Sequence, residues 1–410
     1  MKQVLSLVNK EFPEVAVRAG RGIARTEREA FSRAGLEGIA PLETWDIEAT
    51  SRQLSYASHG AFRYFGKFPP PVARYLIEQL SEPGEIVIDP MCGSGTTGVE
   101  SLLLDRRAAL SDVNPLAVLI SKVKTQPIEV DELSEAGSRI LSAYKPLSPN
   151  GAAFTPVGLR NPDHWFLPET SDSLRGLRAL IELEEETVVR DALWVAFAST
   201  VRRASRATTQ QGRLFLDVDS ALSDVTSFFE KRIRLLADCL QWLGSVTPDV
   251  TVDCSDVRES VSTSPAQLLI LHPPYFNSYR YSAVNSLELA WLGIDQRAVR
   301  GHEVREFFKV GKKENATKYV DDMVTALGQA AERVGSGGHL ALMIGDTRLQ
   351  GDYVRVIKPV LERISTSLIL ERVAVRPPRF TEASWVASQR RRTGELGPPL
   401  MDFVLTFERQ

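Results

Sequence analysis

The stretch LLILHPPYFNSYRYS, residues 268–282, ends an apolar run on a histidine, two prolines and a cluster of aromatic and amide side chains. Each proline fixes its own φ and lacks an N–H. His272-Pro273-Pro274-Tyr275 is therefore a stiff piece of backbone in which the Pro273 carbonyl is an acceptor of set direction. Histidine adds a second acceptor only as the neutral imidazole with one nitrogen lone pair open, and the Tyr275 ring offers a face on which a planar ligand can stack. Taken alone, the tripeptide has a second, less favoured reading as a polyproline bend closing a strand.

A second constellation gives it company. EIVIDPMCGSGTTGVES reads as a strand ending at Asp89, a turn rich in glycine (Gly93, Gly95, Gly98) and a helix. Glycine lets backbone approach a ligand closely, and the helix start offers unpaired N–H groups. The turn has neither the G-K-[ST] of a phosphate loop nor the G-x-G-x-x-G of a dinucleotide site, and Asp89 points to a ligand with a positive end. Asp112 closes the next strand, where a carboxylate takes ribose hydroxyls. Asp256, in CSDVRES, follows a further strand and could accept from an exocyclic amine. Ribose, amine and an ammonium-bearing tail together describe S-adenosylmethionine. A single aspartate at a strand end is as often a turn or helix cap, but three in order at strand ends are harder to explain that way.

DPMCGSGTT resembles the cofactor motif of the amino-methyltransferases that act on DNA, and HPPY resembles their catalytic [SND]-P-P-[YFW] motif. SHGAFRYFGKFPPPVARYLIEQL is similar to the segment that closes over the methionine part of the cofactor in that family, and NPDHWF and WVAFASTVRRAS are also similar to stretches of such enzymes. The resemblance covers roughly residues 55 to 125 and 250 to 350. It implies Phe68, Asp89, Pro90, Cys92, Gly93, Gly95, Thr96, Asp112, Asn114 and Asp256 as cofactor-pocket residues, and His272, Pro273, Pro274 and Tyr275 as the catalytic loop. Methylating an exocyclic amine requires drawing a ring-delocalised lone pair toward the sulfonium methyl, which fixed acceptors do well. Tyr275 would then stack on a base taken out of the duplex. His272 departs from the Ser, Asn or Asp of the pattern, and as a titrating acceptor it predicts a loss of transfer below an imidazole pKa near 6.5.

The elements that must position these residues follow from periodicity. EIVIDP, AALSD, VTVDCSD, QLLILHPPY, GGHLALMIGD, LILERVAV and MDFVLTFER are short apolar runs separated by helical periods, which indicates an α/β fold with a doubly wound, mostly parallel sheet. The resemblance implies the seven-stranded, Rossmann-like methyltransferase form of it. The last two runs are expected to pair as an antiparallel edge, and Asn114-Pro115 reads as the cap and first residue of a helix. Residues 126–250 have long helical periods and read as a helical insertion and a candidate target-recognition region, with a region after residue 350 as the other choice. Residues 51–125 and 251–410 form the catalytic domain, and 1–50 is an arginine-bearing segment of open role.

Composition sets the remaining bounds. The 410 residues are 43% hydrophobic and 25% charged with a formal charge of −3, so nucleic-acid binding would need local patches. Two such patches stand out: Arg202, Arg203 and Arg206 in VRRASRATTQQGR, and Arg376, Arg379, Arg390, Arg391 and Arg392 around Trp385. Three scattered cysteines and five scattered histidines indicate neither disulfides nor a metal site, as fits a reducing cytoplasm. With no signal peptide and no long apolar run, no membrane is expected. The reading is a site-specific DNA methyltransferase using S-adenosylmethionine, with cytosine N4 preferred to adenine N6, DNA as substrate and a cognate restriction or defence nuclease as a partner. RNA guanine-N2 methylation, protein glutamine methylation and a degenerate cofactor- and DNA-binding protein are the alternatives.

Overall fold

The computed structural model describes residues 12–410 except 148–153, 211–212, 220–223, 248, 260–264, 277–280, 305–313, 346, 350–351 and 379–399. Its strands, in chain order, are β1 (Ala16–Ala19), β2 (Leu42–Asp46), β3 (Ile86–Asp89), β4 (Arg107–Asp112), β5 (Ala207–Gln210), β6 (Arg213–Leu216), β7 (Val250–Cys254), β8 (Ala266–Leu271), β9 (Val334–Gly345), β10 (Thr347–Leu349), β11 (Asp352–Val354), β12 (Leu368–Arg376) and β13 (Asp402–Arg409). Nine of these form one sheet in the order β1-β2-β12-β13-β9-β8-β3-β4-β7. The pairings β7/β4, β4/β3, β3/β8, β8/β9 and β12/β2 are parallel, and β13 runs antiparallel to both neighbours.

The seven runs read from sequence are all strands of this sheet. The N-terminal segment adds two more, β2 alongside β12 and β1 beyond it, so residues 16–19 and 42–46 belong to the sheet. The expected antiparallel pair is present, but neither member is an edge: β13 lies between β9 and β12, and β2 covers β12. A strand of mainly apolar residues, with Phe403 to Phe407 all buried, is suited to such an interior position.

The order of strand addition reverses at β3. From there the sheet grows one way through β4 and the other through β8, which leaves a crevice beyond the carboxyl ends of β3 and β8, where open α/β sheets bind ligands. The glycine turn follows β3 and the Pro-Pro loop follows β8, so topology alone brings the two motifs together.

Asn114 caps the helix Pro115–Thr125 by accepting from the Leu116 amide at 3.1 Å, with Pro115 at the first turn. The helix Thr187–Ala204 packs against it, and the helices Val130–Ala143, Pro168–Ile181 and Val225–Leu240 pack against Thr187–Ala204. Their apolar faces merge with Val99, Leu102 and Leu103 of the helix after the glycine turn, and with Leu287 and Trp291, in a single core cluster. The insertion is thus continuous with the catalytic core. No helix among the described residues is long and apolar enough to cross a membrane.

Candidate active site

The cleft at the sheet's carboxyl edge is lined from four directions: by Tyr64, Lys67 and Phe68, by the glycine turn, by Asp112 to Asn114, and by His272 and Pro274 with Tyr281 and Glu303 opposite. The turn is shaped for close approach. Gly95 has φ 72°, and a Cβ there would lie 2.8 Å from Ser121 Oγ, so only glycine fits between the turn and the neighbouring helix. Lys124, fully buried, donates to the Ser94 carbonyl from behind, and burial pushes its ammonium well below the usual lysine range.

Both strand-end aspartates face this cleft. Asp89 accepts from Thr97 Oγ1 and from the Met91 amide at 3.1 Å. Burial pushes its carboxyl up to about 7 against those two bonds, with Asp112 adding to the rise. Asp112 accepts from the Gly93 amide and the Asn114 amide, both at 2.9 Å, and burial raises it to about 6. Two polar atoms in the same lining, Ser94 Oγ and Asn114 Nδ2, are buried with no partner. Two carboxylates held against the preference of their surroundings, beside an unsatisfied hydroxyl and amide, fit a ligand carrying positive charge, hydroxyls and acceptors. S-adenosylmethionine has all three.

Of the remaining cofactor candidates, Phe68, Cys92 and Gly93 line the cleft, while Thr96 is buried at the first turn of the helix Thr96–Leu103. Pro90 is buried between Asp89 and the turn. Asp256 departs from expectation: its carboxylate is forked onto Arg258 at 2.9 and 2.6 Å and does not line the cleft. Burial alone would raise its carboxyl, but the Arg258 bonds outweigh that and lower it. The residue two places on was the available signal, since a carboxylate and guanidinium at that spacing close a local ring.

The catalytic-loop residues depart from expectation in a connected way. Tyr275 is buried, packed against Gly345, where a Cβ would sit 2.1 Å from its ring, so it offers no stacking face. Its ring stands edge-on to His272, with centroids 5.4 Å apart at 84°, and its hydroxyl lies 3.2 Å from His272 Nε2. Burial, and then the Asp402 charge, hold the phenol well above its usual range, and Asp402 forms a buried ion pair with its cross-strand partner Arg376. Burial, and then the Arg376 charge, push the His272 imidazole down to about 3. His272 is thus neutral throughout the pH range in which it was expected to titrate. Phe68 covers its other side, with ring centroids 5.1 Å apart. Pro273 is buried, and the Pro274 carbonyl is held by the Tyr319 hydroxyl at 2.9 Å.

Several residues of the site went unread in the sequence. Tyr64 and Lys67 lie within the quoted SHGAFRYFGKFPPP stretch but carry no spacing signal. Tyr281 and Glu303 reach the cleft only through tertiary packing, Glu303 accepting from both the amide and the hydroxyl of Ser282.

The arginine clusters are also redistributed. Arg376 is 1% exposed and paired with Asp402, so it cannot meet a phosphate. Arg379, Arg390, Arg391 and Arg392 lie outside the described residues. Arg202 is forked onto Glu288 at 2.8 and 2.9 Å, and Arg206 donates to the carbonyls of Asp163 and His164, so both serve internal structure. Arg203 is exposed.

A mostly parallel open sheet with a glycine turn and paired carboxylates at its switch point is a Rossmann-like α/β arrangement suited to S-adenosylmethionine. Residues 24–123 match the profile of the DNA methylase family. The chain is 25% identical over 273 residues to the type II methyltransferase M.MvaI of Kocuria varians, covering 60% of each chain. To M.BsoBI of Geobacillus stearothermophilus it is 23% identical over 309 residues, covering 67% of this chain and 60% of that one. The chain therefore spans about 60% of the length of these two relatives. Among solved structures, TrmN from Thermus thermophilus is 11% identical with a TM-score of 0.34, covering 84% of this chain and 49% of that one, too loose a likeness to bear on function.

Proposed function

We propose that this protein transfers the methyl group of S-adenosylmethionine to an exocyclic amine of a base in DNA, with cytosine N4 as the preferred acceptor. The observation that carries the reading is the opening of the glycine turn and the His-Pro-Pro loop onto one cleft. Asp112 would hold the ribose, and Asp89 would balance the cofactor's positive end. When bound, S-adenosylmethionine supplies an electrophilic methyl on a sulfonium.

The chain's own part is to hold the amine. The Tyr275 hydroxyl faces His272 Nε2 at 3.2 Å, and its oxygen would accept from an Nε2–H. That pairing would select the neutral tautomer whose Nδ1 lone pair can accept an amine hydrogen. The Pro273 carbonyl, which receives no hydrogen bond from the described residues, would take the other. In this arrangement Tyr275 is a positioning residue and His272 stands in for the Ser, Asn or Asp of the family pattern. The relatives, all named type II methyltransferases, support a DNA-modifying role, and our reading extends it to the cytoplasm with a cognate restriction or defence nuclease as partner.

The test is incubation of the protein with methyl-labelled S-adenosylmethionine and either genomic DNA or total RNA, followed by nucleoside digestion and mass spectrometry. N4-methylcytosine in DNA is expected. N6-methyladenine in DNA would move the target, and label confined to RNA or absent from both would overturn the reading.

A further inference from the structure

The cleft does not end at the cofactor. Tyr64, Lys67 and Phe68 are shared between it and a second hollow, which in turn shares Phe62, Arg63 and Arg232 with a groove of about 490 Å³ cut into the helical insertion. The segment from His59 to Pro70 therefore runs as a common wall from the reaction centre to that groove. The groove carries four arginines, at 63, 202, 203 and 232, against two acids, Asp217 and Glu288, a positive balance in a chain of net charge −3.

Its arginines are not all structural. Arg202 is neutralised by Glu288, but Arg63 is exposed and rests only over the Phe65 ring, 5.2 Å from its centroid. Arg232 donates to the Ala61 carbonyl, while its Nε is buried without a partner. Aromatic surface accompanies the charge. Phe228 stands one turn before Arg232 on the same helix face, and Phe65 lines the opposite wall. Phe215 is 42% exposed on β6, and its cross-strand partner Thr208 lines the groove, so the two project from the same face of the hairpin.

Guanidinium groups that track a backbone, interleaved with rings that accept any base face, are the chemistry of single-strand nucleic-acid binding. We propose that this groove binds the unpaired DNA nucleotides that adjoin the target base, with phosphate on Arg63 and Arg232 and bases on Phe215 and Phe228. The inference rests on the DNA methyltransferase reading. It assigns the insertion a sequence-tolerant strand-holding role and needs no base-edge contact.

The experiment compares wild type with Arg63→Glu and Phe215→Ala, both surface changes, using fluorescence anisotropy on a labelled mixed-sequence DNA oligonucleotide as single strand and as duplex. Calorimetric binding of S-adenosylmethionine, unchanged in both variants, reports that the fold is retained. Arg63→Glu is expected to weaken single-strand binding about tenfold and to make the log–log salt slope shallower by about 0.7. Phe215→Ala is expected to weaken binding about tenfold at an unchanged salt slope. Wild-type affinity and slope in both variants, in a protein that does bind DNA, would overturn the groove and leave the enzymatic reading intact. Failure of wild type to bind either DNA while binding the cofactor would overturn both.

Discussion

Asp89→Asn isolates the cost of keeping a carboxylate at the base of the cleft. Asp89 is 2% exposed, and burial raises its carboxyl from 3.8 to about 7. At about 1.4 kcal/mol per pH unit, ionising it inside the fold is about 4 kcal/mol less favourable than in the unfolded chain. The sign follows from proton counts. Below about pH 4 both states are protonated and there is no penalty. Between about 4 and 7 the native state keeps a proton that the unfolded state has lost, so stability falls as pH rises, and above 7 the penalty is complete. About 1.6 kcal/mol of it is already present at pH 5, which leaves roughly 3 kcal/mol to appear between pH 5 and pH 8. Asparagine does not titrate, and the weaker bonds it makes to Thr97 and Met91 subtract about the same amount at both pH values. Urea unfolding of the cofactor-free protein should therefore show the variant gaining about 3 kcal/mol on wild type between pH 5 and pH 8. Added S-adenosylmethionine at pH 8 should stabilise wild type far more than the variant. A stability difference that is the same at the two pH values would refute the assignment of a raised carboxyl pKa to Asp89 and, with it, the account of the site as a cradle awaiting positive charge.

Three further outcomes are expected. Single-turnover methyl transfer by wild type and His272→Ser should have the same pH dependence from about pH 5 to pH 8, because His272 is already neutral there; an acid limb near 6.5 present only in wild type would contradict the tautomer argument. Gly345→Ala drives a methyl to within 2.1 Å of the Tyr275 ring and should cost about 1 to 3 kcal/mol in urea unfolding, with transfer lost and cofactor affinity kept in calorimetry. Arg376→Ala strands the Asp402 carboxylate in the core and should destabilise by about 3 to 5 kcal/mol, whereas the double change Arg376→Met with Asp402→Leu should cost much less in the same assay.

The parts of this protein that could be read from the chain are those set by local physics. Alternating apolar runs and helical periods located seven strands, Asn114-Pro115 announced its own helix, and Gly95 and the Asp89 and Asp112 strand ends marked a candidate cofactor turn, because each depends on neighbours a few residues away. The N-terminal strands β1 and β2 carried no comparable pattern, since a short edge strand with exposed residues, as in β1, has no buried face to impose alternation. Residue type likewise misled where partners come from afar. Tyr275 looked like a stacking surface and Arg376 like a phosphate ligand, but both are buried, Tyr275 with its hydroxyl 3.2 Å from His272 Nε2 and Arg376 paired across β12 and β13 with Asp402. The sequence by itself determined which chemical groups the site owns and which strand ends deliver them. Only the tertiary structure decided which of those groups face the cleft, and in which protonation state, because desolvation and ion pairing depend on chain segments that meet only when the sheet has closed.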